Sequence, residues 1–255
     1  MAKIIGISGR KQSGKNTVAN FINGHILKNI DMIEDFIINT KGQLEIKTSN
    51  QNGDKNWGIF DVTRKDSAYI DYAERELWPY VKVYHFADSL KELAINLFDV
   101  NAMDIYGNNE QKDKKINMLW ENMPENVENK TGKMTIREFL QHFGTSVMRK
   151  MKDDIWVSSM LKKIICEDSE IALIPDVRFP NEVKAIRENG GCVIRLNRDI
   201  FNDTHPCERA LDKDVFDWDN FDYIIDNNNS NIKKLINDLE KIQPLWSEQH
   251  VSNLY

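Results

Sequence analysis

The residues whose types and spacing most directly imply chemistry stand near the start of the chain, Gly9-Arg10-Lys11-Gln12-Ser13-Gly14-Lys15-Asn16-Thr17. The run follows G-x-x-x-x-G-K-[ST] up to its last place, where Asn16 replaces the usual hydroxyl residue and Thr17 comes one position later. A loop between strand and helix can turn its backbone N–H groups inward only where glycine permits the tight path. The helix N-terminus adds positive potential, and a lysine closing the loop reaches the outer phosphates of a bound polyanion. Gly9, Lys11, Ser13, Gly14, Lys15, Asn16 and Thr17 are therefore expected to hold a nucleoside triphosphate, with Lys15, Arg10 and Lys11 as its cations. A magnesium ion accompanying that ligand finds the Asn16 amide oxygen, the Thr17 hydroxyl or an intervening water, and commonly keeps several waters of its own.

These residues need a frame. Lys3–Ser8 (KIIGIS) reads as a buried strand, and Thr17–Leu27 carries apolar residues at helical spacing. Further strands are expected at Val81–Ala87, Ile171–Val177, Cys192–Asn197 and Asp222–Asp226, alternating with helical segments, which implies an α/β fold: a three-layer sandwich around a mainly parallel sheet. In such a sheet ligands collect at the carboxyl ends of the strands. That rule brings Asp176, at the end of Ile171–Val177, and Arg178 to the same edge as the glycine loop. There an aspartate can orient magnesium-bound water or a substrate hydroxyl, and an arginine can clamp a phosphate bidentately.

Between core elements, Asp31–Tyr80 reads as a small β insertion with a hairpin turn at Lys41-Gly42, and Val100–Lys133, polar and Asn-rich, as a long mobile connection. Thr135-x-x-Glu138 is a capping-box signature opening a helix through Lys150. The whole is expected to be one domain. The formal net charge of -6, from 40 acidic and 34 basic residues, argues against a sequence-independent nucleic-acid binder. Neither a membrane span nor a signal-peptide layout is visible, so a cytoplasmic location is expected (that of a host cell if the gene is a phage's). The three cysteines show neither zinc-site spacing nor a disulfide framework.

Taken in order, the loop, HFADSLKE (His85–Glu92), IREFLQHFGT (Ile136–Thr145), Asp154-Ile155-Trp156-Val157, PDVRFPNE (Pro175–Glu182) and THPCE (Thr204–Glu208) resemble the deoxynucleoside monophosphate kinases of tailed phages. The resemblance runs over nearly the whole chain apart from the insertion and the long connection. The family loop commonly reads Gly-Lys-Asp-Thr, so Asn16 departs from it by losing a charge. The resemblance implies a P-loop nucleoside monophosphate kinase-like fold, ATP with Mg2+ as donor and a deoxynucleoside monophosphate as acceptor. It implies Lys15, Arg10, Asp176 and Arg178 as the catalytic set. The acceptor falls to Lys11, Arg137, Gly144, Trp156, Asp176, Arg178 and Glu182; Asn16, Thr17 and Asp176 lie near the metal. Residues 198–220 would form a lid, with Arg198 reaching ATP, and the insertion leaves a homodimer open. The same loop would serve another phosphorylated acceptor, of dephospho-coenzyme A or phosphomevalonate type, or a nucleotide-binding module. For a guanine-reading switch, Asn129-Lys130-Thr131-Gly132 lacks the necessary aspartate.

Overall fold

The computed structural model describes residues 2–49, 53–126, 128–198, 206–229 and 231–247. The chain runs β1 (Lys3–Ser8), α1 (Lys15–Asn29), β2 (Asp35–Ile38), β3 (Leu44–Ser49), β4 (Lys55–Ile59), α2 (Ser67–Glu76) and β5 (Val81–Val83). It continues through α3 (Asp88–Phe98), α4 (Ala102–Ile105), α5 (Asn109–Lys112), β6 (Lys115–Leu119), β7 (Lys133–Thr135) and α6 (Ile136–Gln141). A π-helical stretch (His142–Met148) then leads into α7 (Arg149–Met151) and α8 (Ile155–Glu167). The remainder is β8 (Ile171–Val177), α9 (Pro180–Glu188), β9 (Cys192–Asn197), α10 (Pro206–Arg209), β10 (Tyr223–Asp226), α11 (Ile232–Lys241) and α12 (Pro244–Ser247).

Where the sequence suggests a single domain, the chain divides into two compact units, residues 1–84 with 164–255 and residues 85–163. The first holds a five-stranded sheet in the order β10-β9-β1-β8-β5, and every pairing in it is parallel. Its strands are near-continuous apolar runs, as sheets covered on both faces require. Ile5, Ile7, Leu173, Ile194 and Leu196 are almost wholly buried against Val18, Ile22 and Leu27 of α1 and Leu235 and Leu239 of α11. Because the strands are parallel, the chain leaves β1, β8, β9 and β10 along one edge, at Gly9, Arg178, Arg198 and Asn227. The insertion contributes the antiparallel sheet β2-β3-β4. It docks on α1 through Phe36, which lies edge-on to Phe21, and through Leu44, where Gly24 leaves room for both.

The second unit has its own core of Ala94, Val100, Ile105, Trp120, Met134, Ile136 and Phe139. The long connection expected at Val100–Lys133 is therefore corrected: it contains α4, α5 and β6, which pairs with β7, and it buries Trp120. The capping box forms as its signature predicts, Glu138 N–H donating to Thr135 Oγ1 (3.1 Å) and Thr135 N–H to Glu138 Oε2 (2.8 Å). The helix it opens is not regular through Lys150, since it widens to a π-helix at His142–Met148. No helix among the described residues is long and apolar enough to cross a membrane.

Candidate active site

The glycine loop spans from the end of β1 to the start of α1, and its path depends on its small residues. Gly14 caps α1 with φ of 103°, a left-handed conformation that side chains rarely adopt. A Cβ on Gly9 would stand 2.3 Å from Ser13 Oγ. Ser13 is fully buried, and its hydroxyl has no hydrogen-bond partner among the described residues. From the end of β10, buried Asn227 donates its Nδ2 to Ser13 O (2.9 Å) and so pins the loop to the sheet edge.

Lys15 turns back over this loop, and its Nζ donates to Gly9 O (2.6 Å) and Arg10 O (2.8 Å). Burial, reinforced by the positive charge of Arg178, pulls its ammonium down to about 8; Glu208 and Asp176 oppose that shift and Arg195 adds to it. Asp176 Oδ1 is buried at the penultimate position of β8.

Two carboxylates that had no assigned role organise the cations. Glu208 accepts from the Lys11 N–H (2.8 Å) through Oε2 and from Arg178 Nη1 (2.6 Å) through Oε1. Asp212 receives Arg10 through both Nε (3.0 Å) and Nη2, with Arg195 Nη2 at 3.6 Å and Arg209 Nε at 3.5 Å. Burial alone would raise the Asp212 carboxyl, but the Arg10 hydrogen bond and the flanking guanidinium charges hold it below the usual carboxylate range. Arg195 is buried beneath the ring of Trp218, with its Nη1 on Ser8 Oγ (3.0 Å), and burial lowers it to about 10. Apart from the local Arg209–Asp212 pair, these partners stand about seventeen to two hundred residues apart in sequence, a distance no local motif spans; Glu208 is visible beforehand only as the last letter of THPCE.

A cavity of about 540 Å3 opens onto the loop, lined by Lys11 through Thr17, Arg178, Arg198 and Asn227 and, from the insertion, Thr40, Lys41 and Gly42. A second, of about 470 Å3, lies over Arg10, Arg195, Arg198, Asp212 and Trp218. The first brings together Lys11, Ser13, Gly14, Lys15, Asn16, Thr17, Arg178 and Arg198 of the expected set. Asn16 is exposed and Thr17 half-buried. Of the expected lid, residues 199–205 lie outside the described residues; α10, Asp212 and Trp218 belong to its remainder.

Other expectations fare differently. Arg10, expected to face phosphates, spends two of its donors on Asp212. Glu182, expected at the acceptor, is 2% exposed and turned inward, where its Oε2 accepts from the backbone N–H groups of Arg178 (2.7 Å) and Phe179 (3.0 Å) at the start of α9. It fixes the backbone of Arg178 instead. In the second unit, Trp156 is 6% exposed and donates its indole N–H to Gly144 O (3.1 Å), while a Cβ on Gly144 would stand 2.6 Å from Leu90 Cδ2. Both are held in packing contacts within that unit. Arg137 is exposed, donating to Asp113 Oδ1 and Asn109 Oδ1 (3.0 Å each).

Comparison with known proteins bears on this arrangement. The family model for deoxynucleotide monophosphate kinase matches residues 3–239. A protein of Acanthamoeba polyphaga mimivirus, provisionally named a deoxynucleotide monophosphate kinase, is 31% identical over 143 residues, which cover 49% of this chain and 66% of that relative, just under two thirds of its length. The family match embraces the glycine loop, β8 with Asp176 and Arg178, and the Glu208–Asp212 segment alike. The chain belongs to the deoxynucleotide monophosphate kinase family.

Proposed function

We propose that the protein transfers the γ-phosphoryl group of ATP to a deoxynucleoside 5′-monophosphate, releasing ADP and the deoxynucleoside diphosphate. The observation that carries this reading is the Lys15 ammonium closing on the glycine loop, in a cavity that Arg178 and Arg198 also line. An acceptor phosphate oxygen attacks the γ-phosphorus in line, the bond from that phosphorus to its bridging oxygen breaks, and the electron pair leaves with ADP. Such a transfer asks the protein for position and positive charge more than for covalent chemistry.

In this reading Gly9, Ser13 and Gly14 shape the cradle, and Lys11, Lys15 and Arg198 meet the triphosphate. Arg178, whose backbone Glu182 fixes, meets the phosphoryl group in transit. Arg137 serves the acceptor phosphate. Arg10 acts through Asp212, holding the segment after α10 against the loop. The donor chemistry of Asn16, Thr17 and Asp176 fits magnesium: amide, hydroxyl and carboxylate oxygens are hard ligands. When bound, the ion supplies charge neutralisation at the phosphate oxygens.

A coupled assay of ADP release over a panel of deoxynucleoside and nucleoside monophosphates tests the proposal. Turnover should require an acceptor and favour deoxynucleotides; ADP release at the same rate without any acceptor would reject it.

A further inference from the structure

The inserted hairpin brings to the glycine loop a cation that the roles above leave unused. Its turn, Thr40-Lys41-Gly42, forms part of the wall of the cavity that holds Lys11 through Thr17. The turn is built rather than loose. Asn39 Oδ1 accepts from the backbone N–H groups of Lys41 (2.9 Å) and Gln43 (3.1 Å), and Gly42 N–H donates to Asn39 O (2.9 Å). From α1, Asn20 Nδ2 donates to Gly42 O (2.9 Å), which ties the turn to the helix that follows the loop. Gly42 has φ of 77°, and a Cβ there would stand 2.3 Å from Thr17 Oγ1. Only glycine lets the turn sit so close to the first turn of α1.

Lys41 is thus fixed by its backbone while its side chain is exposed. Among the described residues its ammonium has neither a hydrogen bond nor an ion pair. Most lysines of the insertion and of α1 differ: Lys28 pairs with Asp35 and Lys55 with Glu34. An unpaired ammonium on a rigid turn, on the wall of a cavity already lined by Lys11, Lys15, Arg178 and Arg198, adds to local repulsion until an anion enters. The charge pattern matches a polyphosphate chain. We propose that Lys41 is a further binding residue for the polyphosphate of the donor nucleotide, so that the insertion is a working part of the donor site. The proposal rests on the reading of this cavity as the ATP site.

Calorimetric titration of the full chain with ATP and magnesium tests it, comparing wild type with Lys41→Ala, Lys41→Arg and Lys47→Ala, the last a lysine of β3 away from the cavity wall. Lys41→Ala should raise the Kd for ATP roughly tenfold, the effect of one charge-assisted phosphate contact. Lys41→Arg should recover most of that loss, and Lys47→Ala should match wild type. In steady state the KM for ATP should rise in Lys41→Ala while the KM for the acceptor stays the same. Wild-type ATP binding with an unchanged Kd in Lys41→Ala, or an equal loss in Lys47→Ala, overturns this inference and leaves the kinase reading standing. Failure of the wild type itself to take up ATP overturns both.

Discussion

The Lys15 ammonium is held by two carbonyls of its own loop and half-stripped of water, a position that makes it responsive to both ligand and pH. Replacing it with alanine should lower kcat/KM about a hundredfold or more, the usual cost of removing a group that meets charge developing in the transition state; steady-state kinetics check this. Burial, with the Arg178 charge second, sets its pKa at about 8. The cation is present below that value and lost as pH rises through it. Affinity for ATP should therefore weaken between pH 7 and pH 9, by up to about tenfold, and the Lys15→Ala variant should show a flatter profile in the same titration. The sign for stability runs the other way. The unfolded chain keeps the Lys15 proton to near 10.5, so between about 8 and 10.5 the unfolded state binds the extra proton, and this group's contribution to stability rises with pH across that window.

Among the elements, α9 shows how a buried carboxylate serves a site it does not enter. Glu182 accepts two backbone N–H bonds at the corner where β8 gives way to α9, and the Arg178 guanidinium is placed from that corner. Glu182→Ala leaves two donors in a buried position unsatisfied and should cost about 3 kcal/mol, read as a fall in Tm, with kcat lowered beyond what the folded fraction explains. How much of this was legible in advance follows from where each signal lies. The cradle sits in nine consecutive residues, and their types alone set the backbone path and the charge. The parallel sheet was legible because a strand buried on both faces must be mostly apolar, as IALIPDV and CVIRLN are but for Asp176, Arg195 and Asn197 toward their carboxyl ends. Val100–Lys133 misled for a physical reason: two of its asparagines are helix caps rather than loop filler. Asn101 accepts from Met103 and Asp104 N–H, and Asn108 from Gln111 N–H, each opening a helix of one turn, too short to show periodicity. For Trp156 and Gly144 the residue types alone are legible, since an indole and a glycine suit ligands and packing equally; the Leu90 contact and the indole hydrogen bond are visible only in the fold. The pairings of Glu208 with Lys11 and Arg178, and of Asp212 with Arg10, join distant residues, and nothing local announces them.

At the scale of the molecule, an acidic protein with net charge -6 gathers Lys11, Lys15, Lys41, Arg178 and Arg198 around one cavity of its first unit. That contrast focuses a positive field on the sheet edge and favours polyanions over neutral ligands. ATP binding should accordingly weaken as salt is raised from about 0.05 to 0.5 M, as screening lengths shorten, and calorimetry in matched buffers checks the trend. Saturating ATP should also raise Tm, since a ligand held only by the folded chain at a hundred times its Kd adds about 2.7 kcal/mol. Transfer between two nucleotides, as distinct from binding or hydrolysis, is tested directly by following the γ-phosphoryl group. ATP labelled in its γ-phosphate is mixed with enzyme, magnesium and an unlabelled deoxynucleoside monophosphate, and the quenched products are separated. The label should appear in the deoxynucleoside diphosphate in step with ADP and vanish from that product in Lys15→Ala; label found only in ATP or in inorganic phosphate would contradict the account.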